Sequence, residues 1–99
     1  MRINLKFSGN VYNLMRQFGY HPHESSFVRR LSAADYPRFH IYIKNVSRES
    51  LEINLHLDQK KPIYKGATAH SGEYDGELVE KEAERIKNII SQISNIGFE

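Results

Sequence analysis

The alternation of apolar and polar residues predicts two long β-strands in the middle of the chain. Residues 38–45 and 51–58 each place an apolar side chain at every second position, and these are Phe39, Ile41, Ile43, Leu51, Ile53, Leu55 and Leu57. Such alternation is typical of an antiparallel sheet with one buried and one solvent-exposed face. The short segment 46–50 joins the two strands, so we expect them to form a hairpin.

Charged side chains favour one register for this hairpin. Placing Lys44 opposite Glu52 also places Arg38 opposite Asp58, and opposite-charge pairs across strands are stabilising. A slip of two residues would lose both ion pairs, and a slip of one would turn the apolar side chains toward solvent. We therefore predict this register.

Two shorter strands complete the predicted sheet. Residues 3–7 alternate like a short strand, and residues 26–32 have the composition of a strand whose facing the pattern leaves open. Residues 33–37 favour a turn, and Pro22 indicates a loop before the second strand.

Helical spacing of apolar residues appears at two places. Residues 9–18 predict a short helix, with Ser8 as its N-cap and Gly19 as its C-terminal stop. The strongest helical pattern lies near the end of the chain, and its apolar positions are Val79, Ala83, Ile86, Ile90 and Ile93. Asp75 is the expected N-cap of this helix, and Gly97 can end it.

These elements predict an α+β fold in a single domain, residues 1–99. We expect a two-layer sandwich in which two helices cover one face of a three-stranded antiparallel meander (α-β-β-β-α), with an extra short N-terminal strand. The connection 59–76 is long for a compact domain, and loops of that length are typically functional or disordered.

The composition excludes several classes of protein and site. The chain has no cysteine, so disulfides, thiolate nucleophiles and zinc–cysteine sites are excluded. Hydrophobic residues at 39% and charged residues at 26% are typical of a globular protein. No apolar run approaches a membrane span, and the N-terminus lacks the apolar block of a signal peptide, so we expect a cytoplasmic protein without a membrane partner.

Charge is distributed unevenly along the chain. Residues 1–65 carry eleven lysines and arginines against five acidic residues, a net of +6, whereas residues 66–99 have a net of −4. A basic body with interleaved tyrosines can bind RNA through phosphate contacts and base stacking. The candidate RNA-binding residues are Arg29, Arg30, Arg38, Tyr42, Lys44, Lys60, Lys61 and Lys65. A solvated basic surface next to an acidic helix explains the same pattern.

The predicted register places His40 opposite His56, and this pair is the main candidate for chemistry. Two neighbouring imidazoles can serve as the base and acid of phosphodiester cleavage, because histidine titrates near neutral pH. They can instead share a metal ion with Asp58 or His70, or simply lie on a solvent-exposed sheet face. The run His21-Pro22-His23 is only a weak metal signal. We expect no cofactor and favour no metal ion.

Three short segments carry a resemblance to a known family: Gly19-Tyr20 after the first helix, Phe39-His40-Ile41-Tyr42, and Asn54-Leu55-His56. In these segments the chain resembles the HicA-type toxins, which are small ribonucleases with an α-β-β-β-α fold like the double-stranded-RNA-binding domain. Arg38-Phe39 stands where the family usually has Gly-Ser before its catalytic histidine. The runs 56–62 and 70–77 also resemble small uncharacterised proteins of candidate-phyla bacteria, which implies no function.

The toxin resemblance implies an RNA-binding domain with metal-independent ribonuclease activity. His40 would then be the general base or acid, His56 the complementary group, and Arg38 or Lys61 the cation that stabilises charge on phosphate. Two other interpretations stay open, a non-catalytic module that binds a protein partner and a metal-binding domain built from His40, His56, Asp58 and His70.

Overall fold

The computed structural model describes residues 1–60, 72–73 and 76–97, and its fold is α+β as predicted. In chain order the elements are β1 (Arg2–Lys6), α1 (Val11–Phe18), β2 (His21–His23), β3 (Ser26–Arg30), β4 (Arg38–Val46), β5 (Ser50–Asp58), β6 (Gly72–Glu73) and α2 (Glu77–Gly97). None of the helices in these ranges combines the length and apolar character that crossing a membrane requires.

The sheet is wider than the predicted meander. Its strands lie in the order β1-β5-β4-β3-β2, all antiparallel, and β6 pairs with the last two residues of β5. The N-terminal strand is therefore a full member of the sheet, paired with β5 along Arg2–Lys6. The prediction of a loop at Pro22 is wrong, because His21–His23 forms the edge strand β2, and proline is tolerated at a sheet edge.

The register between β4 and β5 is confirmed over most of its length. Arg38 pairs with Asp58 and His40 with His56, as the charge argument predicted. The pairing of Lys44 with Glu52 is wrong, because a register shift after Ile43 brings Asn45 opposite Glu52. One extra residue in one strand is the definition of a β-bulge, and it leaves Lys44 exposed.

The first helix begins two residues later than expected. Asn10, not Ser8, is its N-cap, because the Asn10 side chain accepts a hydrogen bond from the backbone N–H of Asn13. Gly19 ends the helix in the left-handed conformation with a φ of 93°, which glycine adopts without a steric penalty. The second helix extends to Gly97, the last described residue, so the prediction that Gly97 ends it is not tested, and the proposed cap Asp75 lies outside the described residues.

Both helices contribute to one core against a single face of the sheet. The helical core residues are Leu14, Met15, Phe18, Val79, Ala83, Ile86 and Ile90. They pack against the alternating apolar side chains of the strands, including Phe39, Ile41, Ile53 and Leu55, which are at most 3% exposed. The opposite sheet face carries mainly the polar side chains of the same strands, together with the buried Val28.

Candidate functional site

The sheet face opposite the helices carries the candidate site and is called the polar face below. Its central residues are His21 and His23 on β2, Ser26 and Val28 on β3, His40 and Tyr42 on β4, and His56 and Asp58 on β5. Directly paired residues lie on the same face of a sheet, and the pairs here are His23↔Ser26, Val28↔His40 and His40↔His56. Ser26 and Val28 are alternate residues of β3 and also share a face, so the polar face extends over the four strands β2 to β5.

His40 and His56 lie side by side with their ring centroids 5.2 Å apart. The expectation that they are solvent-exposed is wrong, because each residue is only 7% exposed. The ring of Tyr42 stacks on both imidazoles, at 4.4 Å from His40 and 5.2 Å from His56. Neighbouring side chains on the polar face thus cover the pair.

The Asp58 carboxylate joins the two imidazoles. Oδ2 lies 2.8 Å from His40 Nδ1, and Oδ1 lies 3.1 Å from His56 Nε2. The Arg38 guanidinium is also within 3.4 Å of Oδ2. Burial alone would raise the pKa of the Asp58 carboxyl, but the hydrogen bonds from His40 and His56 outweigh it and hold that pKa far below its ordinary value of 3.8. The partners of Asp58 therefore favour its carboxylate form.

Ser26 contacts the other ring nitrogen of His40. Its hydroxyl has one proton and two acceptors in reach, the His23 carbonyl oxygen at 2.9 Å and His40 Nε2 at 2.6 Å. When this proton goes to the His23 carbonyl, Oγ accepts from His40 Nε2–H; when it goes to His40 Nε2, the other ring nitrogen, Nδ1, carries the proton and donates to Asp58. In the first arrangement the Nδ1 lone pair points toward the Asp58 carboxylate, and in the second the Nδ1–H bond does.

His23 extends the cluster, which the sequence argument missed. Its ring centroid lies 6.1 Å from that of His40, in an edge-to-face arrangement. The signal available was the spacing of His21 and His23, since alternate residues of a strand share a face. That signal requires β2 to be recognised as a strand. Three imidazoles, from His23 through His40 to His56, therefore run across the sheet.

The predicted RNA-binding residues divide into separate groups. Arg29 lies on the helix side of the sheet, where it pairs with Glu82, so it is not part of the polar face. Arg30 pairs with Asp35, and Arg38 lies over the Tyr36 ring beside Asp58. Lys44 and Lys60 are exposed, and Tyr42 is 38% exposed. Lys61, Lys65 and His70 lie outside the described residues.

A buried ionic cluster on the helix side was also missed by sequence reasoning. Glu82 of α2, 3% exposed, accepts hydrogen bonds from Tyr20, from Arg29 in a bidentate pair, and from Arg85. Burial alone would raise the pKa of Glu82, but the hydrogen bonds from Arg85, Arg29 and Tyr20 outweigh it, and that pKa is lowered from 4.5. The cluster joins α2 to β3 through Arg29 and to the end of α1 through Tyr20. We therefore assign it a structural role.

The buried part of the polar face has a donor set suited to metal binding. One ligand atom from each of His40, His56 and Asp58 lies within 4.8 Å of the others. The two histidines of this set are also potential acid–base groups, since imidazole titrates near neutral pH. The fourth residue of the predicted metal set, His70, is outside the described residues.

No protein-family model matches the chain, and comparison with curated proteins and with solved structures finds no match. The resemblance to HicA-type toxins therefore stays a prediction from three short segments. An α+β fold by itself hosts many unrelated activities, so the function of this chain has to be inferred from the residues of the polar face.

Proposed function

We propose that the polar face of the sheet binds single-stranded RNA. The observation that carries this proposal is the position of Tyr42, whose ring lies across His40 and His56 and is 38% exposed. An aromatic ring supported from below on an antiparallel sheet is a stacking platform for an unpaired base. Bases of a duplex are already stacked within the helix, so a single strand is the matching ligand.

Cations surround this platform on the same side of the sheet. Among the described strand residues, pairing and alternation place Arg2, Lys6, Arg30 and Arg38 on this side. Arg2, Arg30 and Arg38 each have an acidic partner, whereas Lys44 and Lys60 are exposed near the two ends of the hairpin strands. Lysines in such positions can contact phosphates on either side of a base stacked on Tyr42.

The geometry supports binding better than metal-independent cleavage. A base–acid pair must reach the substrate with its ring nitrogens, but both ring nitrogens of His40 already have partners within the protein, Ser26 and Asp58. His56 is equally buried. Ribonuclease activity of the HicA type through His40 and His56 stays a prediction, which incubation with labelled RNA in the presence of a chelator tests directly.

Binding is tested with a fluorescent single-stranded RNA of about ten nucleotides at low salt. Tyr42→Leu should weaken binding by about 5- to 150-fold, the worth of one stacked base, and Tyr42→Phe should stay within about twofold. The matched control is Tyr12→Leu, because Tyr12 is 62% exposed but lies on α1, away from the polar face.

Equal losses from Tyr42→Leu and Tyr12→Leu would contradict the proposal. So would a wild-type protein that binds no RNA at low salt. That second result would favour the other interpretation, a non-catalytic module whose partner is a protein.

A further inference from the structure

We propose that His40 Nδ1, His56 Nε2 and the Asp58 carboxylate bind a divalent first-row transition metal ion. This inference does not depend on RNA binding, because it concerns the buried groups beneath Tyr42 rather than the exposed surface. It follows from the placement of the ligands, from the hydrogen bond that orients His40, and from the chemistry of the donor set.

The two strands bring the ligands together without any loop. His56 and Asp58 are two residues apart on β5, so they share a face, and His40 is directly opposite His56 on β4. His40 Nδ1 lies 2.8 Å and His56 Nε2 3.1 Å from an oxygen of the Asp58 carboxylate. The three ligand atoms are all within 4.8 Å of one another. Sites built on paired strands hold their ligands more rigidly than sites on loops.

Ser26 provides an outer hydrogen bond of the kind that metal-binding histidines usually have. Imidazole ligands commonly donate their second N–H to an oxygen, which fixes the tautomer and the orientation of the ring. Here Ser26 Oγ lies 2.9 Å from the His23 carbonyl oxygen and 2.6 Å from His40 Nε2, so it can accept from Nε2–H while it donates to that carbonyl. A proton on Nε2 leaves the Nδ1 lone pair directed toward the carboxylate, where a cation would be bound.

The donor atoms indicate the class of ion. Two imidazole nitrogens and one carboxylate oxygen suit Zn²⁺, Fe²⁺ or Co²⁺, whereas soft ions such as Cu⁺ prefer sulfur, and the chain has no cysteine. Three protein ligands are the set of a catalytic rather than a closed structural zinc site. The Asp58 carboxylate supplies the one anionic ligand of the set and compensates part of the charge of the ion.

The protein is first treated with a chelator and then titrated with Zn²⁺ by calorimetry and with Co²⁺ by visible absorption. We expect one ion per chain, an increase in Tm with Zn²⁺, and a loss of affinity of at least about 100-fold in His56→Gln and Asp58→Asn. The matched control is His21→Gln, which removes an exposed histidine of the same face and should leave the affinity unchanged.

Two measurements keep the test independent of whether the buried variants fold. In the wild-type protein, one equivalent of Zn²⁺ should shift the imidazole NMR signals of His40 and His56 but not those of His21. Ser26→Ala should lower the Zn²⁺ affinity by about 10- to 100-fold while retaining the far-UV spectrum. Absence of Zn²⁺ and Co²⁺ binding to the wild type would overturn the proposal, as would equal losses in His21→Gln and His56→Gln.

Discussion

The hydroxyl of Tyr20 donates a 2.6 Å hydrogen bond to the carboxylate of Glu82, which lies 62 positions away in the sequence. Tyr20 follows the end of α1, and Glu82 lies in the second turn of α2, so this bond ties the helices together at the sheet. Arg29 and Arg85 bind the same carboxylate. Burial, with the nearby negative charge of Glu82, raises the pKa of Tyr20 well above 10. The phenol therefore remains a donor.

We predict that Glu82→Gln lowers the free energy of unfolding by about 3 kcal/mol. Removing one partner of a buried ion pair leaves the other charges uncompensated, which costs about 3–5 kcal/mol. Arg29 and Arg85 are partly exposed, so water can solvate their charges and we expect a loss near the lower end of that range. Urea denaturation measures the loss. Glu84→Gln, an exposed position on the same helix, should cost within about 0.5 kcal/mol, and equal losses in the two variants would contradict the structural role.

The position of Glu82 contained a signal of its burial. It stands three residues after Val79 and four before Ile86, which places it within the apolar stripe of α2. The partners could not be predicted, because Tyr20 and Arg29 come from other elements, and the facing of β3 was left open by its pattern. A buried ion pair depends on tertiary contacts that the sequence of one helix does not contain.

The hairpin shows what local pattern can and cannot provide. Period-2 alternation excludes a slip of one residue and the pair Arg38–Asp58 a slip of two, so together they select one register, and the pairing of His40 with His56 followed from it. The bulge at Lys44 was not predicted. An inserted residue shifts the phase of the alternation, but Val46 is the one apolar residue of β4 after the shift, and a single position does not reveal it. The burial of the histidines was not predicted either, because it depends on how the Tyr42 ring lies across them.

Stability should fall as the pH is lowered below about 4. The folded-state pKa values of Asp58 and Glu82 lie below their ordinary values of 3.8 and 4.5. Each group therefore stabilises the fold fully above its unfolded-state pKa, and this contribution is lost as the pH falls through the folded-state pKa. Urea denaturation from pH 7 downward measures the effect.

Asp58→Asn should flatten this decline, because the variant has no carboxyl to protonate at that position. The matched control is Asp35→Asn, whose side chain is 77% exposed, and it should retain the slope of the wild type. Stability that rises on acidification below pH 4 would contradict the assigned ion pairs.

The facing of α2 is tested by two substitutions in the core. Ile86 is fully buried and Ile90 is 9% exposed, so replacing either with alanine should cost about 2–5 kcal/mol, with Ile86→Ala the larger loss. Glu80→Ala, on the exposed side of the helix, should change the free energy of unfolding by no more than about 0.5 kcal/mol. Three similar losses in urea denaturation would show that the helix faces the sheet differently.

RNA affinity should fall steeply with salt, because phosphate contacts release counterions from the nucleic acid. Replacing Lys60 and the neighbouring Lys61 with alanine should make the slope of log affinity against log salt shallower by up to about 1.4, the contribution of two contacts to a single strand. Anisotropy titrations at several salt concentrations measure this slope. The double replacement of Lys81 and Lys87, exposed on α2, is the control, and an equal change there would contradict binding on the polar face.

Arg38→Met should tighten Zn²⁺ binding by at least about tenfold. The guanidinium of Arg38 lies 3.4 Å from Asp58 Oδ2, and its charge opposes any cation held by that carboxylate. A unit charge about 4 Å away is worth about 4 kcal/mol at the effective dielectric constant near a protein surface, and rearrangement of solvent removes part of this. Methionine keeps an apolar side chain of similar length against the Tyr36 ring, over which Arg38 lies.

The same substitution should destabilise the metal-free protein, because it removes the partner of a buried carboxylate. Opposite changes in stability and in Zn²⁺ affinity distinguish electrostatic repulsion from general damage to the site, which would lower both. Arg16→Met, an exposed position on α1, is the control and should change neither. Weaker Zn²⁺ binding by Arg38→Met in calorimetric titration would mean that Arg38 positions Asp58 for the ion, contrary to the repulsion argued from its distance.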